Sequence, residues 1–178
     1  MLLTPPWYVL TAGPCAGKTT LLNALAEAGY RTVPEAARLH IEEELARGKT
    51  LQEIRNDELG FQTAVLDQKV FMRQGLPKDE VIFFDRGMQD TLAYLEHAGL
   101  RPDAALLEAA NSVQYRKVFL LDLLPYEQDG KRIESSEEAH RIQDLLGKSY
   151  QEAGIPLERV PVLPLAERVA YVLARLDV

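Results

Sequence analysis

Short apolar runs alternate with stretches of helical periodicity along most of this chain. "WYVLTA" at 7–12, "YRTV" at 30–33, "VIFF" at 81–84, "KVFLLDL" at 117–123 and "LERVPVL" at 157–163 read as strands. Between them the pattern predicts helices. One runs from Lys18 to Ala28 and is closed by Gly29. The next, "EAARLHIEEELARG" at 35–48, places Ala37, Ile41 and Leu45 on one face and Glu35, Arg38 and Glu42 on another. A longer pattern spans 51–74, with an interruption expected near Gly60. Helices follow at 88–98 and 103–113, divided by Gly99 and Pro102. Another starts at the capping-box pair Ser135 and Glu138. The last carries an apolar stripe of Leu165, Val169, Val172, Leu173 and Leu176.

Strands alternating with helices of this length require crossover connections, hence a parallel sheet covered on both faces. The expected fold class is α/β: a three-layer sandwich with a parallel sheet of about five strands. Periodicity leaves the strand order open. With 178 residues and 47% hydrophobic composition, the chain can fill one core but not two, so a single domain over 1–178 is expected.

Composition narrows the function classes. No apolar run approaches the roughly 20 residues of a membrane-spanning helix, and "MLLTPPWYVL" lacks the basic and apolar segments of a signal peptide. A lone cysteine, Cys15, excludes an internal disulfide and fits a reducing compartment. These features predict a cytoplasmic protein. The net charge of −7 argues against a protein that coats nucleic acid, though a local site for one nucleotide or a strand 5′-end is compatible with it. His40, His97 and His140 are scattered, without zinc-ligand spacing.

The chemistry is concentrated in A-G-P-C-A-G-K-T, Ala12 to Thr19, between the first strand and the first helix. It matches the phosphate-binding loop G-x-x-x-x-G-K-[ST], with Ala12 in place of the first glycine. Gly13 and Gly17 allow the backbone to form an anion-binding nest across Pro14, Cys15 and Ala16, and the helix adds its positive end. Lys18 can bridge the outer phosphates, the Thr19 hydroxyl can ligate Mg²⁺, and Thr20 falls near the innermost phosphate. ATP and Mg²⁺ are the expected cofactors. For Cys15 the simplest reading is a small loop side chain rather than a redox switch.

Other candidates sit at strand ends, where ligands bind in such sheets. Asp85 ends "VIFFD" and is followed by Arg86 and Gly87; it is preferred over Asp122 as the acid near the metal. Glu35 and Arg38 follow the second strand, Glu35 as an acceptor of a substrate proton and Arg38 as a substrate-positioning group. Their bland alternative is an i,i+3 ion pair on a helix surface. The polar stretch 125–134, leading into the helix that carries Arg141, has the character of a lid over about 125–141, with Arg132 its candidate arginine. Residue types alone leave open whether Glu35 or Asp85 is the base.

Three stretches, "TAGPCAGKTTLLNALAEAGYRTVPEAAR", "VIFFDRG" and "DGKRIESSEEAHRIQDLLGKSYQEAGIP", resemble the small bacterial P-loop proteins known as predicted ATPases. That group is related to the nicotinamide-riboside kinase domain of NAD-salvage proteins, and the resemblance covers essentially the whole chain. More distantly the chain is similar to deoxyribonucleoside and nucleotide kinases. The resemblance implies Glu35 as base, Asp85 as metal partner, Arg86 as phosphate ligand and Arg132 as lid arginine.

The leading expectation is a Mg-ATP-dependent phosphotransferase acting on a hydroxyl of a small molecule such as a nucleoside or riboside. An ATPase or nucleotide-gated switch working through a protein partner is the alternative. Absence of an N-K-x-D or T-K-x-D motif argues against a Ras-like GTPase, and absence of L-S-G-G-Q argues against a transporter ATPase.

Overall fold

The computed structural model describes residues 4–125 and 136–177. Five strands, β1 (Trp7–Thr11), β2 (Arg31–Val33), β3 (Ile82–Asp85), β4 (Lys117–Leu121) and β5 (Leu157–Val160), form one sheet in the order β2-β3-β1-β4-β5. Every pairing is parallel, with Leu10 opposite Asp85 and Phe119 on its two sides. The chain adds strands to one side of β1 and then crosses to the other. The carboxyl end of β1 therefore lies at the switch point where such sheets bind ligands.

Strand alternation sorts the core into two faces. Trp7, Val9, Ile82, Phe84 and Val118 point to one side, Tyr8, Leu10, Phe83, Phe119 and Leu121 to the other. The second side is covered by α1 (Lys18–Glu27) and α8 (Leu165–Leu173). The first is covered by α4 (Glu58–Met72), α5 (Met88–His97), α6 (Ala104–Asn111) and α7 (Ser136–Glu152). Each fully buried Phe or Leu contributes about 1.5–3 kcal/mol, so both layers are anchored by apolar transfer.

A smaller apolar cluster at the β2 edge joins α2 (Ala36–Ala46) and α3 (Leu51–Arg55) to α4 through Ala36, Ile54, Phe61 and Val65. The 51–74 segment does break, but at Asn56 and Asp57 rather than at Gly60. Asp57 caps α4 by accepting the Gly60 N–H at 3.0 Å, which puts Gly60 inside the first turn. α3 opens with a capping box between Thr50 and Glu53. The last strand stops at Val160 because Pro161 has no N–H for the ladder. Leu45 and Leu165, assigned by periodicity to apolar stripes, are exposed at the helix ends. The Ser135 end of the expected capping box lies outside the described residues.

Candidate active site

The sheet order brings three strand ends side by side. The Ala12–Thr19 loop follows β1, Asp85-Arg86 ends and follows β3, and Glu35 follows β2 as the N-cap residue of α2. Sequence separations of 50 and more thereby collapse into one crevice.

In the loop, Cys15 (φ 62°) and Gly17 (φ 75°) both take left-handed conformations, which curl the chain before α1. No acidic residue occupies the first turn of α1, so no side chain of that turn neutralises the positive end of the helix. Thr19 and Thr20 are exposed at the rim, as is Cys15. Gly13 is placed differently from a free nest donor. Its N–H donates to Gln143 Oε1 at 2.7 Å, while Gln143 Nε2 donates to the Leu121 carbonyl at 2.8 Å, pinning the loop entrance to α7 and β4. On the other side Arg168 donates to the Ala16 carbonyl at 2.6 Å.

Lys18 is buried against Asp85, its Nζ donating to Oδ1. Burial pushes the Asp85 carboxyl upward, and the Lys18 ammonium offsets part of that rise. Asp122 is different: half exposed, its carboxylate lies 3.7 Å from Arg159 on the surface. Asp85 is therefore the acid that the fold brings to the loop.

Arg86 connects everything else. Its φ of 65° is unusual for a residue with a side chain. The guanidinium donates to Glu35 Oε1 at 2.8 Å, to the Ala12 carbonyl at 3.1 Å and to Asp90 Oδ1 at 3.2 Å. It also lies 5.2 Å from the ring centre of Tyr94. Burial works against the Glu35 carboxylate, but the charges of Arg86 and Lys18 prevail and hold its pKa below the ordinary value. Glu35 thus pairs across the crevice, not along its helix. Arg38 makes the surface pair instead, with Glu42 at 3.0 Å.

Asp90, which sequence reasoning missed, is almost fully buried and takes four partners. Besides Arg86, it accepts from Thr11 Oγ1 at 2.5 Å, Tyr150 Oη at 2.5 Å and the Gly87 N–H at 2.9 Å. A Cβ on Gly87 would come within 2.5 Å of Tyr150 Oη, so glycine here admits the protein's own core rather than a phosphate. Lys69, also missed, donates to the Gly87 carbonyl at 2.7 Å and to Thr91 Oγ1 at 3.0 Å. Burial draws its pKa down to about 8, against the pull of Asp90. The one signal for Asp90 was its position four residues after Arg86 and three after Gly87. Nothing local marks Lys69.

Beside this network opens a cavity of about 530 Å³. Glu35, Arg86, Asp90 and Lys69 form its charged side, and Ile41, Phe61, Val65 and Tyr94 its apolar side. Ala37, Gln62, Arg38, Glu42 and Arg55 complete the lining, with the Arg55 guanidinium 4.3 Å from the centre of the Phe61 ring. Arg132 and most of the expected lid lie outside the described residues.

The donor set suits a metal that arrives with phosphates. Thr19 and Asp85 could offer two oxygens to it, and no group of three or more His, Cys, Asp or Glu side chains forms a self-sufficient metal site among the described residues. No helix among them is long and apolar enough to cross a membrane.

Comparison with known proteins agrees with this geometry. A family model described as an AAA domain matches residues 7–168. Among curated proteins none matches the sequence. Among solved structures, thymidylate kinase from Ehrlichia chaffeensis superposes with a TM-score of 0.68 at 13% identity, covering 99% of this chain and 100% of that one. NadR protein in complex with NR gives 0.72 at 15% identity over 97% of this chain and 51% of NadR, so this chain spans about half the length of NadR. Deoxyadenosine kinase from M. mycoides with bound dCTP gives 0.65 at 13% identity, covering 96% and 98%. This chain shares with these structures the α/β P-loop fold, here a five-stranded parallel sheet with helices on both faces, as the sequence implied.

Proposed function

This chain belongs to the AAA domain family, and from that premise we propose that it is a Mg-ATP-dependent phosphotransferase acting on a hydroxyl of a small molecule, of nucleoside or riboside type. The observation that carries the reading is the position of Arg86. One guanidinium donates both to Ala12, where the phosphate loop begins, and to Glu35 in the wall of the 530 Å³ cavity. A nucleotide sensor has no need of a second pocket sharing a wall with its phosphate site. The cavity's size suits a nucleoside-sized molecule, with its planar or apolar part against Phe61 and Tyr94 and its hydroxyl toward Glu35.

Bound at the loop, Mg-ATP would supply the transferable phosphoryl group and a cation that neutralises its charge. The loop residues beyond Gly13, whose N–H is held by Gln143, would hold its phosphates through Thr20. Lys18 would exchange its contact with Asp85 for phosphate oxygens, freeing that carboxylate to join Thr19 in holding the metal. Glu35, kept ionised by Arg86 and Lys18, would orient the acceptor hydroxyl and take its proton. Arg86 would stabilise charge on the transferring group, and Arg38 would position the acceptor at the cavity mouth. Arg132, by resemblance, would close over the phosphates as the lid arginine. Catalysis would thus be positioning and electrostatics.

The test is to incubate the protein with Mg-ATP and a panel of nucleosides, ribosides, nucleotides and 5′-hydroxyl oligonucleotides, following ADP and phosphorylated product together. Acceptor-dependent ADP with stoichiometric product is expected. Slow ADP release indifferent to every acceptor would replace this reading with an ATPase or switch that works through a protein partner.

A further inference from the structure

We propose that Arg168 is a positioning residue of the nucleotide site, setting the orientation of the phosphate loop from beneath and through it the affinity for polyphosphates. The inference rests on the nucleotide-site reading above. Arg168 lies in the first turn of α8, only 4% exposed. Its guanidinium donates to three backbone carbonyls from three separate segments. These are Ala16 in the phosphate loop at 2.6 Å, Pro161 just after β5 at 3.2 Å and Asp122 just after β4 at 3.4 Å. Each bond uses a different guanidinium nitrogen, a spread that the rigid planar fork of arginine provides and the single nitrogen of a lysine does not.

Two features separate this from an ordinary structural brace. The first is peptide geometry. In a trans peptide the carbonyl of one residue and the N–H of the next point in opposite directions. Fixing the Ala16 carbonyl on Arg168 therefore aims the Gly17 N–H away from α8. The contact is close, because a Cβ on Gly17 would come within 3.2 Å of Arg168 Nη1. Gly17 is the left-handed residue immediately before Lys18, so its peptide sets how α1 presents its free N–H groups.

The second feature is charge. A buried arginine usually faces a carboxylate. Arg168 has none within ion-pair distance among the described residues; the Asp122 carboxylate, which lies 3.7 Å from Arg159, acts on it only at longer range. Lys18 is matched by Asp85. Among the described residues the charge of Arg168 thus lies beneath the loop with no ion pair, only partly offset by Asp122, and adds to the field that attracts phosphates.

The experiment is calorimetric titration of the full chain with AMP, ADP and ATP in Mg²⁺ buffer, for the wild type, Arg168→Lys and Arg168→Met. Arg168→Met should weaken ATP binding about tenfold or more, the scale of losing a charged hydrogen bond. The loss should grow from AMP to ADP to ATP. Arg168→Lys, which keeps the charge but not the fork, should fall between. Wild-type affinity in both variants, whatever happens to their melting temperature, would overturn the proposal and leave Arg168 as a fold brace. A loss equal for all three nucleotides would also overturn it. A wild type that binds no nucleotide would remove the nucleotide-site reading first. If Arg168→Met does not fold, Arg168→Lys decides: weakened ATP binding with faster hydrogen exchange at the Gly17 amide supports the proposal, and both unchanged overturns it.

Discussion

Arg86 and Glu35, 51 positions apart in sequence, meet at 2.8 Å in the wall of the cavity, and the same guanidinium reaches the Ala12 carbonyl at the start of the phosphate loop. The contact follows from the pairing of β2 with β3, which sets the two strand ends next to each other. Replacing Glu35 by Gln keeps the shape and one acceptor for Arg86 but removes the base. The variant should bind ADP as the wild type does and lose acceptor phosphorylation by about 10²-fold or more. Turnover and binding measured on one preparation check this, and retained turnover would take Glu35 out of the mechanism.

The same pair sets a pH limit. Glu35's pKa lies below the ordinary 4.5 in the folded protein. Its contribution to stability is therefore complete above the unfolded-state value and is lost as pH falls through the lower folded one. Removing Arg86 leaves burial opposed chiefly by Lys18. In Arg86→Gln the Glu35 titration should move upward, observable by carbon-13 NMR of the side-chain carboxyl. An unchanged titration would mean that Arg86 does not hold Glu35 in solution.

Asp90 satisfies Thr11, Gly87, Tyr150 and Arg86 at once, so its loss strands several buried groups. Asp90→Ala should destabilise the fold by about 3–5 kcal/mol, as for breaking a buried ion pair. Urea unfolding reads it. A loss under about 1 kcal/mol would show that the network relaxes around the gap.

Lys69 bears on alkaline stability. With a folded pKa of about 8 against an ordinary 10.5, the unfolded chain holds the proton more tightly between those values. Stability contributed at this site should therefore rise with pH across that window, on the order of 1.4 kcal/mol per unit. Below about 8 the buried charge is carried in full and the gain is absent. Comparing unfolding of the wild type with Lys69→Met at pH 8, 9 and 10 isolates the slope, which should vanish in the variant.

Cys15 is the single cysteine and is exposed in the phosphate loop. One thiol per chain should react with Ellman's reagent, and saturating ADP should slow that reaction several-fold. Unaltered reactivity in ADP that binds elsewhere would separate this loop from the nucleotide site.

The sequence by itself determined the α/β class, the five strands, the phosphate loop and the candidate acids and bases at strand ends. These are local: periodicity reports which faces are buried, and a loop that curls around phosphate needs its glycines, lysine and threonine contiguous. The sequence preferred Asp85 over Asp122, but only the tertiary structure showed it meeting Lys18, set Glu35 against Arg86 rather than Arg38, and brought out Asp90, Lys69 and Arg168. Their partners are set by the order β2-β3-β1-β4-β5 and by which helices cover which face. Strand order depends on how separate hydrophobic faces pack together, which no local period along the chain encodes.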